Sequence, residues 1–229
     1  MQGAPLIMGD QVYIATDYEV YTLGLQSGEL IWNLSTGEEE AFIGAPAFKN
    51  GLIYTTGGRQ LRALDGQTGG EIWRMEKDEM FLGLAVANDL VYVGNWNHYL
   101  YAFDRLTGEE CWNFQGGGEF WSAPAVTGEM VSAGNNDRFY GLDAQSGELR
   151  WSFQASGEPV SESLVTDGTV YFTDVNHEAR RGPRHLYALD AVTGKELWVF
   201  ETVSTLLPAP ALGKDVIYVT SAGEVIALK

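Results

Sequence analysis

The stretch DRLTGEECW, residues 104–112, decides the fold because versions of it recur along most of the chain. Each version starts with a short polar turn that contains a glycine, and each closes on a tryptophan. The closing tryptophans lie 39–47 residues apart. A period in this range is typical of a protein built from repeated supersecondary units. The other versions are GLQSGELIW (24–32), DGQTGGEIW (65–73), DAQSGELRW (143–151) and DAVTGKELW (190–198).

The residues that precede this turn follow the period of a β-strand. In LVYVGNWNHYLYAFD (90–104) two runs of alternating apolar residues flank the polar pair Asn97 and His98, which predicts a hairpin. A full copy holds four such runs, and four short antiparallel strands in about forty residues are typical of one blade of a β-propeller. A sixth copy lacks the fourth run. We therefore predict an all-β, six-bladed β-propeller with five four-stranded blades and a C-terminal three-stranded blade.

At 229 residues the chain is long enough for one all-β domain with a substantial core, and we predict a single domain over 1–229. We expect the last blade to close on the first by side-chain packing. The alternative is that these residues are part of a larger ring of seven or eight blades. The predicted repeats are about 4–42, 43–81, 82–120, 121–159, 160–206 and 207–229.

The recurring aspartates and tryptophans are predicted to have structural roles. An aspartate at the start of the turn can accept hydrogen bonds from the backbone amides that follow, and glycine takes the positive φ of the reversal. Four equivalent copies of one catalytic group would be hard to explain. A tryptophan buries about 150–250 Å² and holds one blade against another. The predicted structural residues are Asp65, Asp104, Asp143, Asp190, Trp32, Trp73, Trp112, Trp151 and Trp198.

The pattern Ala/Gly-Leu-Asp-x-x-Thr-Gly-x-x-x-Trp, with Leu-Tyr-Ala-Leu before it and a Gly/Ser-Ala-Pro-Ala start, resembles the PQQ-like (quinoprotein-type) β-propeller repeat. The resemblance covers essentially the whole chain. It departs from the pattern at Gly24, which replaces the aspartate, and at 161–163, where Ser-Glu-Ser replaces the Ala-Pro start. The family includes quinone-dependent alcohol dehydrogenases, the propeller lipoprotein of the outer-membrane assembly machinery and sensor regions of bacterial protein kinases. The resemblance therefore implies one fold but is compatible with several functions.

Charge and composition restrict the partners. The chain has 14 basic and 31 acidic residues and a formal charge of −17, which opposes binding to nucleic acid or to anionic membranes. No apolar run approaches the ~18 residues of a membrane helix. We expect a monomer with a protein partner. The sequence shows no signal peptide, so the chain is cytosolic or its export segment was removed or never included; the resemblance implies the periplasm or the extracellular space.

The enzyme alternative is a pyrroloquinoline quinone dehydrogenase with calcium. In that branch of the family the resemblance implies a disulfide between adjacent cysteines, but Cys111 is the only cysteine here. We predict that Cys111, beside Trp112, is a partly buried and inert thiol. No serine lies in a nucleophile motif, and His177 and His185 lack the spacing of a zinc pair. We therefore expect neither cofactor nor metal nor catalytic residue, and predict a non-catalytic interaction or sensing scaffold; an envelope assembly factor is a further alternative.

In repeat proteins function tends to lie where one copy departs from the others. The largest departure is DVNHEARRGPRHLYALD (174–190), which lengthens one hairpin by about seven residues and concentrates basic side chains. Arginines there could clamp an acidic partner or a phosphate, or could pair with the acidic rim of their own ring.

The hairpins between second and third strands, and the segments between blades, open on one face of a propeller. We predict that this face is the binding surface, with exposed aromatic residues among polar groups. The alternative is that aromatic residues such as Phe42 and Trp121 plug the central channel. The predicted binding residues are Asn95, Trp96, Asn97, His98, Asn135, Asn136, Asp137, Arg138, His177, Arg180, Arg181, Arg184, Phe42, Phe120 and Trp121.

Overall fold

The structure is a computed structural model that describes residues 5–16, 18–35, 45–159, 163–174, 184–202, 206–213, 216–221 and 224–228. Within these ranges the chain forms strands and turns and no helix. The strands make six antiparallel sheets, of which five have four strands and the last in sequence has three. This confirms the predicted all-β class and the predicted number of strands in each sheet. The limits of the repeats and the single domain stay predictions.

The chain divides into two compact units, Met1–Asn113 and Phe114–Lys229. In every sheet consecutive strands pair with each other, so each sheet is a meander. The first three sheets contain β1 (Leu6–Met8), β2 (Gln11–Ala15), β3 (Glu19–Gly24), β4 (Leu30–Ser35), β5 (Ala47–Lys49), β6 (Leu52–Gly57), β7 (Gln60–Asp65), β8 (Glu71–Glu76), β9 (Phe81–Ala87), β10 (Leu90–Asn95), β11 (Tyr99–Asp104) and β12 (Glu110–Gln115). Strand β12 crosses the boundary between the two units.

The last three sheets belong to the second unit. The three-stranded sheet is formed by the last three strands of the chain. The strands of these sheets are β13 (Ala125–Thr127), β14 (Met130–Gly134), β15 (Phe139–Asp143), β16 (Leu149–Phe153), β17 (Leu164–Thr166), β18 (Thr169–Thr173), β19 (Arg184–Asp190), β20 (Glu196–Thr202), β21 (Leu206–Gly213), β22 (Val216–Ser221) and β23 (Glu224–Leu228).

The second and third strands of the second sheet are buried on both faces because a neighbouring sheet packs on each side. In the second sheet Ile53 and Leu64 pack against the first sheet, whereas Tyr54 and Leu61 pack against the third. Successive strand residues point to opposite faces, so one run of apolar residues serves both contacts. Burying one such side chain contributes about 1.5–3 kcal/mol. In the first three sheets the fourth strand has one buried residue, the tryptophan, and its other residues are exposed or partly exposed.

The polar turn before each fourth strand is built around its aspartate. Oδ1 of Asp104 accepts hydrogen bonds from Leu106 N at 2.9 Å, Thr107 N at 2.8 Å and Thr107 Oγ1 at 3.1 Å. These hydrogen bonds, led by that from Thr107 N, lower the pKa of Asp104. Gly108 adopts φ +73° to complete the reversal. Oδ1 accepts equivalent bonds at Asp65, Asp143 and Asp190.

The tryptophan of one sheet packs on this turn in the next sheet. The indole nitrogen of Trp32 donates to the carbonyl oxygen of Gly66 at 3.1 Å. A Cβ placed on Gly69 would come within 2.7 Å of the Trp32 ring. Glycine is therefore required here for close approach as well as for its φ of +71°. Trp73 and Trp151 make the equivalent contacts, with Arg105 O at 3.0 Å and Ala191 O at 3.1 Å.

Trp198 differs from the other closing tryptophans. Its side chain is 37% exposed, against 9% for Trp151, although both occupy the same place in their sheets. The next sheet is the three-stranded one, and within the described ranges it has no turn and fourth strand to cover the indole.

The structure corrects the expected burial of Cys111. This side chain is exposed, because the residue before the tryptophan lies on the outer face of the fourth strand. Its pKa is nevertheless raised, first by desolvation and then by the negative charge of Asp104. The thiolate, which is the nucleophile, is therefore disfavoured.

Candidate functional site

The hairpin of the fourth sheet is held by Asn135, which is completely buried. Its Oδ1 accepts hydrogen bonds from Asp137 N and Arg138 N, both at 2.8 Å, and its Nδ2 donates to Gly118 O at 3.2 Å. One amide therefore closes the hairpin and attaches it to the segment that enters the sheet. With these bonds made, the Asn135 side chain serves the backbone of the hairpin.

The entering segment packs closely on this hairpin. A Cβ on Gly117 would come within 3.0 Å of the Asp137 carboxyl carbon. Gly117 N donates to Tyr140 Oη at 3.2 Å, and the ring of Phe120, which is fully buried, lies 5.9 Å from that of Tyr140. Phe120, one of the predicted binding residues, is thus placed in the core. Glycines at 116–118 allow the approach because larger residues would collide with the hairpin.

Four side chains form the exposed part of this site, which we call the Trp121 surface: Glu119, Trp121, Asn136 and Arg138. Trp121 is 43% exposed. Asn136 Nδ2 donates to Glu119 Oε2 at 3.1 Å, which links the hairpin to the entering segment. Arg138 lies 3.6 Å from Asp137, but both side chains are more than 40% exposed, so water screens the pair. Trp121 and Arg138 therefore lie on two segments of the second unit, the entering segment and the hairpin, that the Asn136–Glu119 hydrogen bond joins.

The equivalent hairpin of the third sheet belongs to the first unit and uses the same device. Asn95 is buried, its Nδ2 donates to Glu79 O at 3.0 Å, and its Oδ1 accepts from Asn97 N at 2.8 Å. Asn97 in turn donates to Tyr101 Oη at 2.7 Å. His98 is exposed at φ +71°, and Trp96 is partly buried. Of these predicted residues, His98 offers the most accessible side chain.

In the fifth sheet Asp174 occupies the corresponding position, and sequence reasoning did not identify it as part of a cluster. Its carboxylate is buried, and Oδ1 accepts a hydrogen bond from His185 N at 2.9 Å. Its Oδ2 lies 2.9 Å from His185 Nδ1 and accepts from Tyr187 Oη at 3.4 Å. The sequence contains a signal for this position, because Asp174, Asn95 and Asn135 each follow the apolar run of a second strand.

The basic residues of the inserted hairpin lie mainly beyond the part of the chain that the structure describes. His177, Arg180, Arg181 and Phe42 are outside the described residues, and so is the side chain of Arg184. Their predicted role in binding stays a prediction.

No group of three or more histidine, cysteine, aspartate or glutamate side chains in the described ranges could hold a metal ion. No helix in the same ranges is long and apolar enough to cross a membrane.

Comparison with known families decides the relationship. A family model described as "Outer membrane protein assembly factor BamB" matches residues 1–82, 59–177 and 164–229. The chain belongs to this family of PQQ-like repeat proteins. A search of curated protein sequences finds no match.

Solved structures place the PQQ-like chain among β-propellers. The computationally designed Ika8 protein superposes with a TM-score of 0.84 at 15% identity, over 99% of this chain and 70% of Ika8. BamB from Moraxella catarrhalis superposes with a TM-score of 0.69 at 18% identity, over 98% of this chain and 84% of BamB. A europium-containing methanol dehydrogenase superposes with a TM-score of 0.69 at 18% identity, over 87% of this chain and 51% of that enzyme. These likenesses confirm the propeller fold class and do not extend to activity.

Proposed function

We propose that this PQQ-like chain is a non-catalytic protein-interaction module whose contact surface is the Trp121 surface. The observation that carries the proposal is the 43% exposure of Trp121 on the entering segment, which the Glu119–Asn136 hydrogen bond joins to the hairpin that carries Arg138. Tryptophan and arginine are enriched among the residues that dominate binding energy at protein interfaces. Exposed aromatic side chains with a polar rim are also typical of interaction sites.

The hairpin asparagines favour binding over quinone chemistry. A calcium-dependent quinone site needs free carboxylate and amide oxygens. Asn95 and Asn135 are buried, and the Oδ1 and Nδ2 atoms of each already bond to the backbone. Using either amide as a ligand would therefore require the hairpin to open.

The family match supports one finer version of this function. The model that covers the chain is described as an outer membrane protein assembly factor. We propose, as a second candidate within binding functions, that the Trp121 surface contacts a protein of the bacterial envelope. An acidic module suits a partner with a basic or neutral contact surface, because like charges across an interface are repelled.

The test is a binding comparison between the wild-type chain and Trp121→Ala. Both are immobilised, proteins captured from a bacterial envelope extract are identified, and one purified candidate is titrated against each chain. We expect Trp121→Ala to weaken binding at least tenfold and to change the free energy of unfolding by less than about 0.5 kcal/mol, as is usual at an exposed position.

Leu106→Ala is the matched control, because Leu106 is a large exposed side chain on a turn of the other unit. It should bind the partner like the wild type. If Trp121→Ala binds the partner as tightly as the wild type, the proposal that the Trp121 surface is the contact surface is wrong. Titration with pyrroloquinoline quinone and calcium tests the function itself, since saturable, stoichiometric binding with the absorbance of bound quinone would contradict a non-catalytic module.

A further inference from the structure

Two arginines face each other across strands β7 and β8 of the second sheet. Arg62 of β7 is directly opposite Arg74 of β8 in the strand register. Side chains of directly opposite residues project from the same face of a sheet, and like charges in such a pair are destabilising. A negatively charged group between the two side chains would remove this repulsion.

Neither arginine is required by the repeat. In the other four-stranded sheets the residue that corresponds to Arg62, three positions before the end of the third strand, is always tyrosine: Tyr21, Tyr101, Tyr140 and Tyr187. The residues that correspond to Arg74, directly after the closing tryptophan, are Asn33, Asn113, Ser152 and Val199. The second sheet therefore departs from the other copies at two positions that lie side by side, and both departures add a positive charge.

Arg62 is held in a buried place. The residue is 7% exposed, and Gln60 Oε1 accepts hydrogen bonds from its Nε at 3.0 Å and from its Nη2. The Gln60 amide is neutral, so it orients the guanidinium without neutralising it. A buried positive charge is costly unless a negative charge accompanies it. The environment of Arg62 therefore favours an anion beside it.

The Glu71 carboxylate marks where such an anion sits. Its Oε2 lies 3.9 Å from Arg62 Nε, and its Oε1 lies 3.7 Å from Arg74 Nε. The two guanidinium groups therefore converge on the two oxygens of one carboxylate. Both distances exceed the roughly 2.7–2.9 Å of a charge-assisted hydrogen bond, and the Glu71 side chain is 36% exposed, so water screens the contacts. Glu71 is thus a loosely held internal anion that an external oxyanion can displace.

We propose that Arg62 and Arg74 form a binding site for a phosphate group, which takes the place of the Glu71 carboxylate. A phosphate monoester carries about −1.5 to −2 of charge at pH 7 and three acceptor oxygens, so it matches two guanidinium charges better than one carboxylate does. The planar fork of each guanidinium suits paired phosphate oxygens. Arg74, whose side chain is 50% exposed, forms the solvent side of the site. The phosphate is the free ion or a phosphorylated residue of a partner protein.

The phosphate site is independent of the Trp121 surface. Its residues belong to the first unit, whereas the Trp121 surface belongs to the second. Failure of either proposal therefore leaves the other standing.

Calorimetric titration of the 229-residue chain with inorganic phosphate tests the site. Sodium chloride keeps the ionic strength constant, so that general screening does not change during the titration. We expect saturable, stoichiometric binding at millimolar concentration. A glycine peptide with one central phosphoserine, compared with its unphosphorylated form, identifies the source of the phosphate. Tighter binding of the phosphopeptide than of inorganic phosphate assigns the site to a phosphorylated protein, and the reverse order assigns it to the free ion.

Four variants locate the bound phosphate. Arg62→Gln and Arg74→Gln should each weaken binding at least tenfold, because each removes charge-assisted hydrogen bonds. Glu71→Gln should tighten binding at least threefold, because phosphate then has no internal carboxylate to displace. Arg59→Gln is the matched control: Arg59 lies in the same sheet, its side chain is 54% exposed, and it lies 3.8 Å from a different glutamate, Glu76. It should change the affinity less than twofold.

Circular dichroism and melting temperature establish which variants fold. Arg74 is half-exposed, so Arg74→Gln tests the site even if Arg62→Gln does not fold. Three results would overturn the proposal: phosphate does not bind saturably even to Glu71→Gln, it binds equally to the wild type and Arg74→Gln, or Arg59→Gln weakens binding as much as Arg74→Gln does. A purely structural ion pair gives the first of these results together with a lower melting temperature for Glu71→Gln.

Discussion

At the residue scale, Asp143 shows how one carboxylate fixes a turn. Its Oδ1 accepts two backbone N–H groups and the Ser146 hydroxyl, and its Oδ2 lies 3.0 Å from Arg150. The hydrogen bond from Arg150 and those from Ser146 lower the pKa of Asp143 to about 2. A folded-state pKa below the unfolded value means that the ionised carboxylate stabilises the fold at neutral pH. This stabilisation is lost as the pH falls from about 4 towards 2.

We therefore predict that Asp143→Asn lowers the urea midpoint at pH 7 and that the difference from the wild type disappears near pH 2. Unfolding is followed by tryptophan fluorescence at several pH values. Arg150→Ala keeps the bonds to the turn, so its effect at pH 7 should be smaller than that of Asp143→Asn. A difference between Asp143→Asn and the wild type that stays constant down to pH 2 would contradict the assignment of the effect to the carboxylate charge.

The hairpin asparagines show what the sequence did not resolve at this scale. Asn95 and Asn135 stand in polar loops, where an exposed amide and a buried structural amide have the same sequence pattern. Their partners are backbone atoms at Glu79 and Gly118, 16 and 17 residues away, and a backbone atom leaves no trace in residue identity. The exposed Trp121 was predicted from the same pattern as the buried Phe120 beside it. Burial of these residues depends on the neighbouring hairpin, which the local pattern does not include.

At the scale of elements, the turn glycines have two separate roles, and the chain contains a pair that separates them. Gly69 and Gly28 have φ values of +71° and +68° in equivalent turns. A Cβ on Gly69 would lie 2.7 Å from Trp32, whereas none of the described atoms lies within 4 Å of a Cβ on Gly28. Alanine at either position carries the backbone cost of a left-handed conformation, about 1–2 kcal/mol. Only at Gly69 does it also push an indole out of place.

We predict that Gly69→Ala destabilises the chain by about 1–3 kcal/mol more than Gly28→Ala, the usual cost of overpacking. Urea unfolding of both variants gives the two free energies. Gly28→Ala is the matched control for backbone strain. Equal losses would mean that the turn moves freely off Trp32, and the packing of one sheet on the next would then depend less on the glycine than the geometry indicates.

The strands were the most predictable elements, because alternation of apolar residues reports burial directly. The turn of the first sheet forms through backbone hydrogen bonds although it lacks the aspartate of the motif. Gly24 replaces the aspartate, yet Gly24 N still donates to Glu29 O at 2.9 Å and Gly28 N to Gly24 O at 2.8 Å. The exposure of Trp198 could not be read from its motif, which is the same as in the other copies. It depends on which residues the next sheet places over it.

At the scale of the whole molecule, the charge of −17 acts on stability as well as on partners. Like charges repel more strongly in the compact state than in the unfolded chain, so a high net charge opposes folding. Salt screens this repulsion, with a Debye length of about 10 Å at 0.1 M and about 3 Å at 1 M. Most ion pairs of the described residues have at least one largely exposed partner, such as Arg59 and Glu76, and so have little stability to lose on screening.

We therefore predict that the melting temperature at pH 7 rises when sodium chloride is increased from about 0.01 M to about 0.5 M, because screened repulsion outweighs weakened ion pairs. Calorimetry or circular dichroism measures the change. The control is the same titration near pH 5, close to the pI of about 4.4, where the net charge is small and the rise should shrink. A rise of equal size at both pH values would assign it to a general salt effect on apolar burial, and a fall at pH 7 would mean that the acidic surface is held together by ion pairs after all.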